Sequence, residues 1–451
     1  MKTTFNNQKH YFKEDKTKSY AFRIKQLNQL EEVLKKYQLE IEQALKEDLN
    51  KSSFESYSTE FGFVMASIRK TRKKLKKWMK TKKVKTPLYQ TFTKSYIQSE
   101  PLGVVLIIGP YNYPFQLVIE PLIGAIAAGN TVIIKPSEFA SQTENILEKA
   151  LNEAFPESYI HVFTGGIEAT QALLELPFDH IFFTGSTRVG QIVYEAAAKH
   201  LTPVTLELGG KSPTIVDESA NIKVAARRIV FGKFINAGQT CIAPDYIYVH
   251  SSKKEALIEA LKSTISQFYQ DHETQYGRII NHKHFDRLIG LINNDKCIFG
   301  GQNQRESKYI APTLLDDVSW EDKVMKEEIF GPILPILTYQ SLDQLINLLK
   351  TKEKPLALYL FTEQKEVIKK VFSSLSFGGG AINDTIMHVA NPYLPFGGVG
   401  ASGIGAYHGK TSFDTFSHKK AYVKKSTKLD PSIAYPPYTE KQEKLIKRLL
   451  K

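Results

Sequence analysis

The chain has 451 residues, of which 42% are hydrophobic and 24% are charged, a balance typical of a soluble globular protein and not of a disordered one. No apolar run reaches the ~18–20 residues that a membrane-spanning helix needs. The first residues lack the apolar core and small-residue cleavage site of a secretory signal. Cys241 and Cys297 are the only cysteines. This scarcity predicts a cytoplasmic protein in which a cysteine serves as a thiol and not as half of a disulfide.

The net charge of +13 raises the question of a nucleic-acid partner. The densest basic segment is 69–85, where eleven of seventeen residues are Lys or Arg. It lacks the aromatic platforms and the fold signature of a nucleic-acid-binding module. Ile68, Leu75 and Trp78 recur at helical spacing, which predicts an amphipathic helix with a solvated basic face. We therefore expect no nucleic acid; an anionic substrate or an anionic membrane surface is the alternative.

The pattern changes twice along the chain. Up to about residue 85, apolar residues recur at three- and four-residue steps, which predicts helices. The segment 87–97 is rich in Thr, Tyr and Phe and favours a β-hairpin or two edge strands. From residue 101 onward, short apolar runs alternate with helical stretches.

This alternation predicts two consecutive open parallel-sheet α/β domains. The run 102–109 is apolar throughout, as expected of a strand buried on both faces. The other predicted strands are 131–134, 159–163, 180–183 and 204–206 in the first block, and 213–216, 246–249, 333–337 and 356–361 in the second. Folds of this class bind their ligands in clefts.

The last residues, 440–451, predict a short basic amphipathic helix, with Leu445 and Leu449 on one face and Lys441 and Lys444 elsewhere. Such a helix docks on its own protein or on a sister subunit, or it lies on a membrane surface.

Cys241 follows a Gly-Gln-Thr turn, and we expect it to lie at the start of a helix that begins at Ile242. A helix N-terminus stabilises anions and can lower the pKa of a thiol, which would make Cys241 a nucleophile. A free cysteine is also a common small buried hydrophobe, so Cys241 by itself does not decide the function.

Two further residues could support a reactive thiol. Glu207 closes the strand 204–206 and precedes Gly209 and Gly210, where backbone can approach a ligand closely. A carboxylate there could act as a general base, first for the thiol and then for a water, or it could form a structural ion pair. Asn112 follows the strand 102–109, and its amide could stabilise an oxyanion by roughly 3–4 kcal/mol, or it could simply mark a loop.

A dinucleotide could bind at two strand ends. Residues 184–190 carry a G-x-x-x-x-G pattern at a strand-to-helix turn, where backbone N–H groups can receive a pyrophosphate. Lys135 and Glu138 end another strand with a cation and an anion that suit ribose hydroxyls. The eleven histidines show no paired spacing, so we expect no metal.

Seven segments in register resemble the NAD(P)-dependent aldehyde dehydrogenases. They are YNYP at 111–114, IIKPSE at 133–138, FTGSTRVG at 183–190, LELGGKSP at 206–213, GQTC at 238–241, EIFGP at 328–332 and PFGGVGASGIGAYHG at 395–409. The resemblance covers about residues 20–420, and the run 407–418 resembles the class-three branch. That branch typically oxidises medium- and long-chain aliphatic or aromatic aldehydes as dimers; polyene aldehydes stay open, as does the choice of NAD or NADP.

Position by position, the resemblance implies that Cys241 is the nucleophile and Glu207 the general base, while Asn112 and the Cys241 backbone N–H form the oxyanion hole. The residues expected to hold the cofactor are Lys135 and Glu138 at the adenosine ribose, Gly185, Ser186 and Gly190 at the pyrophosphate, and Glu328 and Phe330 at the nicotinamide and its ribose. The aromatic residues expected to line an apolar substrate tunnel are Tyr113, Phe115 and Phe234.

The resemblance also implies a division of the chain. Its parts are N-terminal helices over 1–85, an oligomerisation hairpin over 86–98, an NAD(P)-binding domain over 99–207, a catalytic domain over 208–385, and a return segment with an oligomerisation strand and basic tail over 386–451. A CoA-acylating dehydrogenase and a non-catalytic basic binding protein are the alternatives. Glu207 counts against the first, because enzymes of that type tend to lack a carboxylate there. The set of Cys241, Glu207 and Asn112 counts against the second.

Overall fold

The computed structural model describes residues 1–90, 92–269, 273–430, 432 and 435–450. Its framework is a six-stranded and a seven-stranded sheet, both mostly parallel, together with a three-stranded antiparallel sheet and a short two-stranded ribbon. Within the described ranges, no helix is both long and apolar enough to cross a membrane.

Five helices precede the first sheet, as their apolar periodicity predicts. They are α1 (Lys2–Lys13), α2 (Tyr20–Lys36), α3 (Gln38–Leu49), α4 (Ser53–Ser56) and α5 (Gly62–Trp78), with a π-helical turn over Tyr57–Phe61. Ile68 and Leu75 of α5 are fully buried and Trp78 is half-buried, so the basic residues occupy the outer face. The helix predicted over 69–85 is wrong beyond Met79, because residues 82–84 pair with the next strand instead.

The three-stranded sheet contains β1 (Lys82–Val84), β2 (Thr93–Pro101) and β18 (Ser417–Lys425). Strand β2 is central and pairs antiparallel with both neighbours, with β18 over nine residues. The hairpin predicted within 87–97 is correct only in its second strand. Residues 88–90 form a 3-10 turn, the first strand lies upstream at 82–84, and a third strand comes from the far end of the chain. This small sheet fits an oligomerisation arm.

The six-stranded sheet is built mostly from buried apolar runs. Its strands are β3 (Val104–Ile108), β4 (Thr131–Lys135), β5 (Ile160–Val162), β6 (His180–Thr184), β7 (Val204–Glu207) and β17 (Gly403–Ile404), in the order β17-β7-β6-β3-β4-β5. All pairs are parallel except β17 with β7. The helices between these strands are α6 (Gln116–Ala128), α7 (Ser141–Ala154), α8 (Ile167–Leu174) and α9 (Thr187–Ala198).

The seven-stranded sheet has the order β10-β13-β14-β9-β8-β15-β16, and only β10 runs antiparallel to its neighbour. Its strands are β8 (Pro213–Val216), β9 (Tyr246–His250), β10 (Cys297–Phe299), β13 (Thr313–Leu315), β14 (Ile333–Tyr339), β15 (Ala357–Phe361) and β16 (Gly379–Ile382). The ribbon is β11 (Asn303–Gln304) with β12 (Tyr309–Ile310). The remaining helices are α10 (Ile222–Phe234), α11 (Lys254–Tyr269), α12 (His282–Ile289), α13 (Leu342–Lys350), α14 (Lys365–Ser374), α15 (Lys410–Thr415) and α16 (Glu440–Leu449).

The predicted fold class is confirmed: parallel α/β sheets with a small antiparallel arm. Each strand predicted from an apolar run is present with ends within about two residues, which is the usual uncertainty of such boundaries. The predicted C-terminal helix is present as α16, and Lys451 lies outside the described residues. The core follows from the sequence directly, because strands covered by helices on both faces must be apolar throughout.

Candidate active site

Cys241 lies in a loop between α10 and β9. The helix predicted to begin at Ile242 is wrong: the chain turns at Cys241 and enters β9 at Tyr246. The reason is a sharp reversal just before the cysteine, where Asn236, Ala237 and Gly238 all have left-handed φ values of 53°, 50° and 74°. Three such residues in a row prevent a continuous helix and project the following segment toward the six-stranded sheet.

The electrostatic surroundings of Cys241 also differ from the expectation. Burial raises the pKa of its thiol above the usual range, and the carboxyl groups of Glu328 and Glu207 raise it further. The backbone N–H groups of Cys241 and Ile242 act in the opposite direction, with a smaller effect. The predicted lowering of the pKa is wrong for this state, and the sulfur is held as a neutral thiol.

Glu207 ends β7 and is buried, with 2% of its surface exposed. Neither carboxyl oxygen has a hydrogen-bond partner among the described residues. Burial raises the pKa of this carboxyl well above its usual range. The alternative of a structural ion pair therefore does not hold within the described part of the chain. A buried polar group without a partner is uncommon in a folded protein and marks a position that a ligand or water completes.

Asn112 connects the loop after β3 with the loop before Cys241. Its side-chain Nδ2 donates to the Gln239 carbonyl at 3.0 Å, and its own carbonyl accepts from Asn236 Nδ2 at 2.8 Å. A second link follows at once, where the Tyr113 hydroxyl lies 2.8 Å from Thr240 Oγ1. The structure thus brings Asn112, Tyr113 and the cysteine loop together.

A buried ion pair supports the contact between the Asn112 loop and the cysteine loop, and the sequence analysis did not predict it. Lys51 pairs with Glu60, both side chains being fully buried, and its Nζ also donates to the Asn112 carbonyl at 3.0 Å. The other Glu60 oxygen accepts the backbone N–H groups of Phe115 and Gln116, each at 3.0 Å. We call Lys51, Glu60 and the backbone they hold the clamp. No motif marks these residues, because the backbone groups that they bind lie more than fifty positions away.

Glu328 approaches from the seven-stranded unit. Burial and the Asp245 carboxylate raise the pKa of Glu328 to about 8, and the carboxyl accepts the backbone N–H of Gly210. A Cβ added to Gly209 would lie 2.0 Å from a Glu328 oxygen, so only glycine permits this approach. Phe330 has a left-handed φ of 50°, a strained conformation for a bulky residue that is typical of functional sites.

Lys211 and Asp245, which the sequence analysis did not single out, support the loop that carries Glu328. Lys211 pairs with Asp245 and donates to the carbonyls of Val324 and Glu327, each at 3.0 Å. Asp245 accepts the Ile329 backbone N–H at 2.9 Å. Lys211 belongs to the segment LELGGKSP, and this family motif was the only feature of the sequence that could have pointed to it.

The predicted cofactor residues of the first block lie at or just after the carboxyl ends of β4 and β6, two strands of the six-stranded sheet that flank β3. Lys135, at the end of β4, is 1% exposed and has its Nζ 3.8 Å from Glu138 and 3.2 Å from Glu144. Glu144 was missed because it lies on α7, away from the strand. These groups are gathered where ribose hydroxyls could replace one partner.

The turn after β6 offers backbone donors and little side-chain bulk. Ser186 caps α9 by accepting the Val189 N–H at 3.4 Å, and a Cβ on Gly190 would lie 2.6 Å from Leu208. Gly185 donates its N–H to the Glu207 carbonyl at 3.0 Å. A helix N-terminus flanked by glycines, near a buried lysine, fits the pyrophosphate and ribose of a dinucleotide.

The predicted tunnel residues separate into two groups. Tyr113 contacts the cysteine loop, as described above. Phe115 and Phe234 are fully buried and pack on other rings, Phe115 on Phe61 with centroids 6.0 Å apart and Phe234 on Tyr269 at 6.1 Å. These two side chains are not brought next to Cys241 by any described contact.

Comparison with known proteins agrees with this geometry. The sequence profile of the aldehyde dehydrogenase family matches residues 2–422. The chain is 57% identical over 442 residues to the 4,4'-diaponeurosporen-aldehyde dehydrogenase of Staphylococcus aureus, covering 97% of this chain and 96% of that one. It is 47% identical over 439 residues to the dimeric NADP-preferring aldehyde dehydrogenase of Rattus norvegicus, covering 96% and 97%.

Among solved structures, the substrate-bound state of Staphylococcus aureus AldH superposes with a TM-score of 0.98 at 56% identity, covering 100% of this chain and 99% of that one. The fold and the site define a class of protein: an α/β enzyme with a half-buried thiol, a buried carboxyl and a turn suited to bind a dinucleotide. The chain belongs to the aldehyde dehydrogenase family, as its motifs predict, and its cofactor is NAD or NADP.

Proposed function

We propose that the enzyme oxidises apolar aldehydes to carboxylic acids through a covalent intermediate on Cys241, which water activated by Glu207 then hydrolyses. The observation that carries this proposal is the buried Glu207 carboxyl, which has no partner for either oxygen and lies close enough to raise the pKa of the Cys241 thiol. A carboxyl with a raised pKa is a stronger base once ionised, which suits it to take protons from a thiol and from water.

The first half of the reaction forms a carbon–sulfur bond. Glu207 accepts the thiol proton, and the Cys241 sulfur attacks the aldehyde carbonyl carbon. The carbonyl oxygen becomes an oxyanion, which the Asn112 amide and the Cys241 backbone N–H stabilise. Because Asn112 is already tied to Gln239 and, through the clamp, to Lys51, its amide is held in place before the substrate arrives.

The second half releases the acid. The nicotinamide ring, when bound, supplies the hydride acceptor, and collapse of the oxyanion leaves a thioester on Cys241. Glu207 first releases the thiol proton to solvent, and the ionised carboxylate then takes a proton from a water, whose oxygen attacks the thioester carbon. The carbon–sulfur bond breaks, the carboxylic acid leaves, and the sulfur regains a proton. The net reaction consumes aldehyde, NAD(P)⁺ and water and yields acid, NAD(P)H and a proton.

The cofactor would be held at three places. Lys135 and Glu138 would meet the adenosine ribose, and Gly185, Ser186 and Gly190 the pyrophosphate. Glu328 and Phe330 would hold the nicotinamide ribose and ring. Glu138 repels a 2′-phosphate and Lys135 attracts one, so we infer that both NAD and NADP are accepted.

For the substrate, we infer an apolar aldehyde that is long-chain aliphatic, aromatic or polyene. The staphylococcal relative is named for a polyene aldehyde, 4,4'-diaponeurosporenal, and shares 57% of aligned residues. Tyr113, Phe115 and Phe234 are the proposed aromatic wall of the tunnel, with Tyr113 nearest to Cys241.

We also propose a cytoplasmic homodimer with the division of the chain given above, from helices 1–85 to the tail 386–451. The rat relative is named as dimeric. Strand β18 is the outer strand of the arm, and its free edge could pair with a sister subunit. A peripheral membrane contact through the basic tail is part of the same proposal.

The test is a panel of aldehydes of increasing chain length, with aromatic and polyene members, each assayed with NAD⁺ and NADP⁺ by the absorbance of the reduced cofactor. We expect kcat/KM to rise by about fourfold per added CH₂ over the medium range, since each buried CH₂ contributes about 0.8 kcal/mol. Product analysis with added CoA is the companion experiment. A profile independent of chain length would refute the apolar tunnel, and acyl-CoA formation would refute hydrolysis by Glu207-activated water.

A further inference from the structure

The positive charge of the chain is concentrated in two segments. Residues 69–100 and 417–451 together contain 22 Lys and Arg but only four Asp and Glu, a net charge of +18. The rest of the chain has 38 Lys and Arg against 43 Asp and Glu, a net charge of −5. The excess of +13 is therefore the property of one region and not of the whole surface.

The fold joins these two segments. Strand β18 pairs with β2 along its whole length, and α5 leads directly into β1. Helix α16 packs against residues 88–90, the turn between β1 and β2. Phe92 accepts the backbone N–H of Ser426 at 3.0 Å, which ties the two segments together at the same end of the sheet. We call the described residues at this end, 88–90, 92, 426–430, 432 and 435–450, the tip of the arm.

The tip exposes large apolar side chains among its lysines. Leu88 is 85% exposed and Leu450 is 64% exposed. The other exposed large apolar residues of the tip are Tyr89, Phe92, Leu429, Tyr435, Tyr438, Leu445 and Leu449. Helix α16 begins with a capping box formed by Thr439 and Gln442, so the helix that presents Leu445 and Leu449 has a defined start.

Three kinds of partner could cover such a surface. A second copy related by a two-fold axis would bring one basic tip against another, which like-charge repulsion disfavours. A nucleic acid would neutralise the lysines but would offer little to aliphatic side chains such as Leu88. An anionic bilayer satisfies both features, because lipid headgroups attract Lys and Arg while Leu, Tyr and Phe enter the interface.

We propose that the tip of the arm docks the enzyme on the surface of an anionic lipid bilayer. The free edge of β18 is left for a sister subunit, so docking and dimerisation use different parts of the arm. The proposal deepens the proposed function and rests on it in one respect: an apolar aldehyde partitions into the bilayer, so docking would place the enzyme beside its substrate.

The test uses the full chain and sedimentation with vesicles of phosphatidylcholine alone or mixed with phosphatidylglycerol. We expect binding to the mixed vesicles only, weakened by added salt. The double variant Leu445→Ser/Leu449→Ser should bind at least about tenfold more weakly, since two partly buried leucines are lost from the interface. The matched control is Leu39→Ser, an exposed leucine on α3, which should bind like the wild type.

A second set of variants tests the role of charge. It compares Lys441→Gln/Lys444→Gln on α16 with Lys365→Gln/Lys369→Gln on α14, and all four lysines are exposed. Only the first pair should weaken vesicle binding. Equal binding to phosphatidylcholine, or loss of binding by both lysine pairs without any effect of the leucine variant, would overturn docking by the tip. So would a change from dimer to monomer in the leucine variant, measured by light scattering, or tighter binding of single-stranded RNA than of vesicles.

Activity with a short, water-soluble aldehyde separates this proposal from the proposed function. All variants should keep wild-type kcat and KM with such a substrate, because the tip touches none of the proposed catalytic residues. An inactive wild type that still binds vesicles would refute the proposed function and leave docking in place. An active wild type that ignores vesicles would refute docking alone.

Discussion

The clamp and the reaction centre are both buried, and both are built around carboxyl groups, but they treat those groups in opposite ways. In the clamp, Glu60 receives Lys51 on one oxygen and two backbone N–H groups on the other. In the reaction centre, the two oxygens of Glu207 receive no hydrogen bond from any described residue. The carboxyl of the clamp thus has hydrogen-bond partners on both oxygens, and the carboxyl of the reaction centre has none among the described residues.

This difference separates support from chemistry. A buried ion pair whose carboxylate has partners on both oxygens fixes the backbone around it. Burial without partners raises the pKa of the Glu207 carboxyl well above its usual range, and perturbed groups of this kind are typical of sites that transfer protons. Hydrogen bonds with Lys51, Asn236 and Gln239 hold Asn112 in place, whereas the carboxyl of Glu207 stays available for proton transfer.

We expect the largest effect when the proposed nucleophile of the reaction centre is removed. We expect Cys241→Ser to lower NAD(P)⁺-dependent aldehyde oxidation by a factor on the order of 10⁴–10⁶, with an unchanged melting temperature. Cys297→Ser is the matched control: Cys297 is also half-buried, but its thiol donates to the Phe299 carbonyl and has no proposed role in the reaction, so activity should persist. Steady-state absorbance of the reduced cofactor checks both, and near-wild-type turnover by Cys241→Ser would exclude a thioester on this residue.

The second experiment removes the unpartnered carboxyl but keeps its shape. Glu207→Gln should retain the amplitude of the NAD(P)H burst but reach it more slowly, because the thiol must then lose its proton to solvent while hydride transfer still precedes hydrolysis. Turnover should fall by about 10²–10⁴. In the wild type, the rate of thioester hydrolysis should rise with pH until Glu207 loses its proton, and this rise should be displaced upward because the pKa is raised. The variant should lack that rise in stopped-flow traces at several pH values. A missing burst with the cofactor still bound would mean that Glu207 is required before hydride transfer.

The third experiment disturbs the support and leaves the reacting groups alone. Lys51→Met leaves Glu60 as an unpaired buried carboxylate, so we expect a loss of about 3–5 kcal/mol in the free energy of unfolding, and a smaller loss in Lys51→Met/Glu60→Gln. Both variants should show a slower NAD(P)H burst, because Asn112 loses its hold. Alkylation of Cys241 by iodoacetamide should be unchanged, since it needs no oxyanion donor. Equal stability of the single and double variants would show that the pair is not coupled.

The sequence predicts the sheets well for a physical reason. Segments such as 104–108 and 131–135 are apolar throughout because both of their faces are covered, and this local property is visible in the sequence alone. The family motifs identified Cys241, Glu207 and Asn112 without any structure. Their roles remain proposals; the structure links Asn112 to the loop before Cys241 and places the Glu207 carboxyl close enough to raise the pKa of the Cys241 thiol.

The failures have physical reasons too. The helix expected at Ile242 is absent because Asn236 and Ala237 adopt left-handed conformations, and nothing in an alanine announces a positive φ. The basic helix ends early because Val84 pairs with Ser95, a contact between segments that helical periodicity cannot register. The clamp was invisible because Lys51 and Glu60 act on Asn112 and Phe115, which only the fold brings near.

The hydrogen bond between Gly185 and Glu207 connects the turn proposed to bind the cofactor with the proposed general base. The backbone N–H of Gly185, in the turn proposed to hold the pyrophosphate, is bonded to the carbonyl of the residue whose side chain is the proposed base. A displacement of this turn would be transmitted to the backbone of Glu207. We therefore expect departure of the reduced dinucleotide to be coupled to hydrolysis of the thioester.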